Sequence, residues 1–246
     1  MRNAGIRPSR YGLDQYGLHD WQVAYWNLGT AQLVEKSLQR REGIIASGGS
    51  LVVRTGRFTG RSPKDKYVVQ DEQTRSRVEW GSVNQPMSEE VFDDLYSRML
   101  NFWKGQDIFV QDCFAGADPA FQLPIRVVTQ RAWHNLFARQ LFIRPDWKQT
   151  EDHVPEFTVK FAPTFYSDPE RDGTNSKTCI AVNFKRKMVL IAGTEYAGEM
   201  KKSVFTTLNY LLPLRGVLPM HCSANVGNDG RVALFFGLSW TGKTTL

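Results

Sequence analysis

The chain has 246 residues, enough to bury a sizeable core, and its 41% apolar and 23% charged residues describe a globular rather than a disordered protein. No apolar run approaches the roughly 20 residues of a spanning helix, and residues 1–18 hold no secretory apolar stretch, so neither a membrane nor a secreted protein is expected. The net charge of +6, from 31 basic and 25 acidic residues, points to anionic partners; because the basic residues are dispersed, small phosphates and carboxylates are expected rather than nucleic acid.

In chain order, the first predicted helix covers 31–41, with Thr30 as N-cap and Gly43 just past its end. Strand-like runs follow at 50–53 and 67–69. A second helix is predicted over 89–104, with Ser88 as N-cap, acidic residues in the first turn and Gly105 behind it. Its apolar stripe is Val91, Phe92, Leu95, Met99 and Phe102. Short apolar runs at 108–114, 125–129, 178–183 and 188–191 read as strands, and His134 falls in a helix over 131–140. A third long helix is expected at 198–212, stopped by Pro213. Two further strands, 217–222 and 231–236, flank a turn at residues 228–230. The mixture indicates α/β or α+β architecture. Cys113, Cys179 and Cys222 form no CxxC pair, which argues against a disulfide framework or a cysteine zinc site and for a reducing cytoplasm.

The densest chemical signal closes the chain. Gly237-Leu238-Ser239-Trp240-Thr241-Gly242-Lys243-Thr244 fits GxxxxGK[ST] directly behind an apolar strand. In that pattern backbone N–H groups wrap phosphate oxygens, the lysine neutralises their charge and the hydroxyl reaches a metal. A strand followed by a plain Gly-rich turn is the bland alternative. Residues 54–66 gather three arginines, two lysines and two glycines; a guanidinium suits bidentate carboxylate binding, although a solvated basic turn has the same composition. Lys201 and Lys202 open the third helix, where the helix dipole disfavours cations, and their side chains point about 100° apart. His221 follows a strand-like run, and none of the four histidines stands at metal-ligand spacing with another.

The stretches 59–67 (TGRSPKDKY), 110–119, 123–139, 193–206 (GTEYAGEMKKSVFT), 220–227 (MHCSANVG) and 235–246 (FFGLSWTGKTTL) together resemble ATP-dependent phosphoenolpyruvate carboxykinases, in order along almost the whole chain. The resemblance implies a mixed α/β fold, with an N-terminal domain at 1–216 and the opening of a nucleotide-binding domain at 217–246. It also implies a cytoplasmic enzyme that converts oxaloacetate and ATP to phosphoenolpyruvate, ADP and carbon dioxide in gluconeogenesis, with manganese and ATP-bound magnesium. By motif, Arg61 would hold the substrate carboxylate, Tyr196 would line the same pocket, and Lys202 and His221 would ligate manganese and face the nucleotide. Gly237 to Thr245 would wrap the ATP phosphates, with Lys243 on the β/γ oxygens, Thr244 on the metal and Thr245 completing the loop. Lysine ligation requires a neutral amine, which Lys201, the metal and partial burial would favour.

Two departures accompany the resemblance. The family carries glycine where this chain has Trp240, and its remaining metal carboxylate, an arginine and the adenine pocket lie beyond residue 246. The 246 residues alone are therefore expected to be inactive and, with a cleft wall bare, prone to aggregate. A non-catalytic anion-binding remnant of the same family is the alternative; another P-loop kinase would explain Lys243 but none of the upstream stretches.

Overall fold

Continuous apolar runs such as Met188–Ala192 carry no polar alternation, so they need cover on both faces, and a sheet clothed by helices on both sides supplies it. The computed structural model describes residues 1–8 and 10–237, which form two compact units, Met1–Val204 and Phe205–Leu246. In chain order the first unit contains β1 (Arg2–Gly5), β2 (Val23–Trp26), α1 (Thr30–Gln39), β3 (Gly43–Ile45), β4 (Leu51–Val53), β5 (Lys66–Val69), β6 (Gln85–Met87) and α2 (Glu89–Phe102). It continues with β7 (Ile108–Ala115), β8 (Leu123–Thr129), α3 (Ala132–Leu141), α4 (Trp147–Glu151), β9 (Phe157–Ala162), α5 (Pro169–Asp172), β10 (Cys179–Asn183) and β11 (Met188–Ala192). The helix α6 (Gly198–Leu211) spans the boundary in sequence, and β12 (Cys222–Val226) and β13 (Val232–Phe236) belong to the second unit.

Nine strands form one sheet in the order β1-β2-β7-β8-β9-β11-β10-β5-β6. Only β7–β8 and β10–β11 pair antiparallel; the other neighbours are parallel, giving the mixed α/β class expected. Successive residues of β7 face opposite sides: Ile108 and Val110 join a cluster with Phe92, Leu95 and Met99 of α2, while Phe109 packs with Leu33 of α1 and Leu136 of α3. Helix α2 thus covers one face, and α1 and α3 the other. The α2 stripe is as predicted; Ser88 caps it by accepting the Val91 N–H at 3.2 Å, and Gly105 follows at φ +69°. Burying Phe92, Leu95 and Met99 completely contributes about 1.5–3 kcal/mol each.

Charge is also buried in this sheet. Arg126 on β8 is fully enclosed, donating to Asp112 Oδ1 at 2.7 Å and to the carbonyls of Tyr11 and Gly12 at 3.0 and 3.2 Å, which ties the N-terminal segment to the sheet. Lys160 on β9 lies between the rings of Tyr16 and Tyr96, 4.6 and 4.9 Å from their centroids. Burial pushes its amine well below the ordinary lysine range.

Two local expectations are corrected. The N-cap of α1 is Gly29, not Thr30, because the Gln32 side chain reaches back to accept the Gly29 N–H at 2.9 Å and starts the helix one residue earlier. The strand expected at 217–222 lies instead at Cys222–Val226. Its register is set by the turn: Gly227 N–H donates to the Arg231 carbonyl at 2.8 Å, Gly230 takes φ +77°, and Cys222 falls opposite Phe236.

Candidate active site

The basic loop between β4 and β5 is not a freely solvated turn, because distant residues hold it, a buried carboxylate first among them. Glu199, in the first turn of α6, is fully buried; its Oε1 accepts the Ser62 N–H at 2.7 Å and its Oε2 pairs with Lys66 Nζ at 3.2 Å. The loop carrying Arg61 is thereby pinned to the helix that carries Lys202, and residues 199 and 202 lie on one helical face. Ser176 Oγ adds a second tie, donating to Asp65 at 2.9 Å. Burial first, then the charges of Arg61, Lys201 and Lys66, push the Lys202 amine below its ordinary range. Arg61 and Lys201 are exposed while Lys202 is half-buried, as their helical and loop positions require.

The segment leading into α6 is held as firmly. Gly193 adopts φ +67° with the Lys177 carbonyl oxygen 2.3 Å from where a Cβ would stand, and its own carbonyl accepts the Thr178 hydroxyl at 2.9 Å. His134, fully buried on α3, has its Nε2 2.9 Å from the Glu195 carbonyl; burial drives its pKa down to about 3, so the ring is neutral and donates through Nε2–H. Arg131 pairs with the Glu195 carboxylate at 2.7 Å. Tyr196 N–H donates to Thr194 Oγ1 at 3.2 Å, and the Tyr196 ring lies against Gly198, where a Cβ would come within 2.4 Å of it.

The first unit therefore brings Arg61 and Lys202 together, with Tyr196 two residues ahead of the same helix. In the second unit His221 is exposed and packs edge-on against Phe205, ring centroids 5.4 Å apart, and Gly237 ends β13 exposed. The expected phosphate-loop residues Leu238, Ser239, Trp240, Thr241, Gly242, Lys243, Thr244 and Thr245 lie outside the described residues. Among the described residues no three His, Cys, Asp or Glu side chains gather as a metal site. Lys202 lies in the first unit and His221 in the second. Sequence reasoning quoted Glu199, His134 and Glu195 without giving them roles, and the one local signal was the acid three residues before Lys202.

A model of the phosphoenolpyruvate carboxykinase family matches residues 22–246. The chain is 59% identical over 220 residues to the ATP-type phosphoenolpyruvate carboxykinase of Geobacillus kaustophilus, covering 89% of this chain and 42% of that protein. The enzymes of the same name from Geobacter sp. strain M21 and Rhodopseudomonas palustris strain TIE-1 are each 52% identical, over 96% and 100% of this chain and 44% and 46% of theirs. The chain thus spans less than half the length of these relatives. By these matches the chain belongs to the ATP-type phosphoenolpyruvate carboxykinase family.

Proposed function

We propose that this chain supplies the oxaloacetate-binding part of an enzyme that converts oxaloacetate and ATP to phosphoenolpyruvate, ADP and carbon dioxide. The observation that carries the reading is the buried Glu199 holding the Arg61 loop against the helix of Lys202. Arg61 offers a planar cation to a substrate carboxylate, and Tyr196 borders the same pocket. Lys202 and His221 would hold manganese, which when bound stabilises negative charge on the substrate oxygen left by decarboxylation. Gly237 to Thr245 would wrap the phosphates of magnesium-bound ATP, with Lys243 and Thr244 at the β/γ oxygens and the nucleotide's metal. The domain division at Gly216, a cytoplasmic location and the inactivity of the 246 residues by themselves belong to the same proposal.

The Lys202→Arg variant tests it. A guanidinium offers no lone pair, so manganese affinity measured by electron paramagnetic resonance should drop at least tenfold, a loss of about 1.4 kcal/mol; unchanged affinity would overturn the assignment of Lys202. Trp240 in the phosphate loop favours a second reading, an anion-binding remnant of the family. Oxaloacetate binding without turnover in the longest native form of the protein would select it.

A further inference from the structure

A cavity opens where the parallel strands β1 and β2 end. It holds about 170 Å³ and is walled by Asn27, just beyond β2, by Gln111 on β7, by Arg139 in the last turn of α3 and by Asp146, Trp147 and Thr150 around α4. Ligands of open α/β sheets commonly sit outside the carboxyl ends of parallel strands, and this cavity has that position. Its wall carries two buried polar atoms without partners, Gln111 Oε1 and Arg139 Nε. Gln111 is only 1% exposed, so its bare oxygen is costly unless something donates to it.

The orientation of that amide follows from its neighbours. Asn27 Nδ2 donates to the Ile6 carbonyl at 3.0 Å and to Asp112 Oδ2 at 3.1 Å, so Asn27 Oδ1 is the acceptor, taking the Asp112 N–H at 2.7 Å. Gln111 Nε2 must then donate to Asn27 Oδ1, at 3.2 Å, and Oε1 is the atom left over. The opposite charges on the wall complete the pattern. Arg139 has no ion pair among the described residues, and the neighbouring Arg144 adds positive potential. Asp146 accepts the Gln149 N–H on Oδ1, at 2.7 Å, and its exposed carboxylate stands beside the cavity. Trp147 is 73% exposed, an indole left at the rim as a lid or stacking surface.

We propose that this cavity binds a small α-amino acid as its zwitterion, the carboxylate on Arg139 and the ammonium shared between Gln111 Oε1 and Asp146. Size agrees: a cavity of about 150 Å³ accepts benzene, so about 170 Å³ takes an amino acid of about six heavy atoms, the size of alanine. Glycine and serine bracket that size. The ligand gives each unpartnered atom the complement it lacks, an acceptor for Arg139 Nε and a donor for Gln111 Oε1. A hydroxy acid also satisfies the arginine and can donate one hydrogen bond to Gln111 Oε1, but it brings no positive charge toward the exposed Asp146 carboxylate.

Calorimetric titration of the longest native form of the protein with alanine, serine, glycine, lactate and ethanolamine tests this. Alanine or serine should bind with a Kd of about 0.1–1 mM, as expected for so small a ligand, and at least tenfold more tightly than lactate or ethanolamine. Arg139→Gln should weaken alanine binding at least tenfold. Trp147→Ala, at an exposed position that folding does not need, should weaken it severalfold with unchanged thermal stability. Binding of lactate as tight as that of alanine overturns the zwitterion, and so does undiminished alanine binding in Arg139→Gln. Absence of binding of every compound at about 10 mM by the folded wild-type chain means that the cavity holds only water and overturns the site itself.

Discussion

Glu199 shows how one side chain can decide the geometry of a site built from distant segments. Its Oε1 accepts a backbone N–H and its Oε2 pairs with an ammonium of the loop at 62–66, at a fully buried position where an unpaired carboxylate is costly. In Glu199→Gln the amide oxygen still accepts from Ser62, but Lys66 loses its counter-charge. We expect a loss of about 1–3 kcal/mol in chemical denaturation, together with weaker oxaloacetate binding through a displaced Arg61. If oxaloacetate affinity survives while stability falls, Glu199 holds the fold but does not position Arg61.

At the scale of elements, the two ends of the α6 approach respond differently to the same kind of change. Gly198 has no positive φ and sits at the first position of a helix, so alanine is compatible with its backbone; the atoms nearest to the added Cβ are those of the Tyr196 ring, from 2.4 Å. Gly198→Ala should therefore leave the thermal midpoint nearly unchanged while swinging Tyr196 aside and raising the oxaloacetate Kd. A large drop in the midpoint would show instead that the ring cannot move. For α2 the cap is the exposed lever: Ser88→Ala removes the acceptor for Val91 N–H and should cost about 1 kcal/mol in urea denaturation, with no effect on ligand binding.

Over the whole molecule, buried neutral histidine couples stability to pH. His134 titrates at about 3 in the folded protein against 6.5 when free, because desolvation penalises its charged form. The unfolded chain then takes up a proton that the folded chain refuses, so stability is full above pH about 6.5 and falls as pH drops toward about 3, by up to about 1.4 kcal/mol per unit. His153, lowered by burial as well, adds to the same slope. Denaturation midpoints at pH 7, 6 and 5 should decline accordingly, and His134→Gln, which keeps a side-chain donor for the Glu195 carbonyl, should flatten the decline. A slope identical in the variant would place the effect elsewhere.

The sequence by itself determined what depends on near neighbours. Ser88, the stripe of α2 and Gly105 bound that helix; the apolar runs at 178–183 and 188–191 read as strands; and the motifs holding Arg61, Tyr196, Lys202 and His221 carried the family. Strand β9 escaped notice because Lys160 interrupts its apolar pattern, and the rings of Tyr16 and Tyr96, together with Met188 Sδ at 3.5 Å, receive that lysine inside. The strand order, the register of β12 and the bond from Ser62 to Glu199 across 137 residues were decided by tertiary structure alone. Local pattern records how a residue wishes to be buried or turned, whereas the identity of its distant partner is chosen only when the packed chain must satisfy every buried charge and hydrogen-bonding group at once.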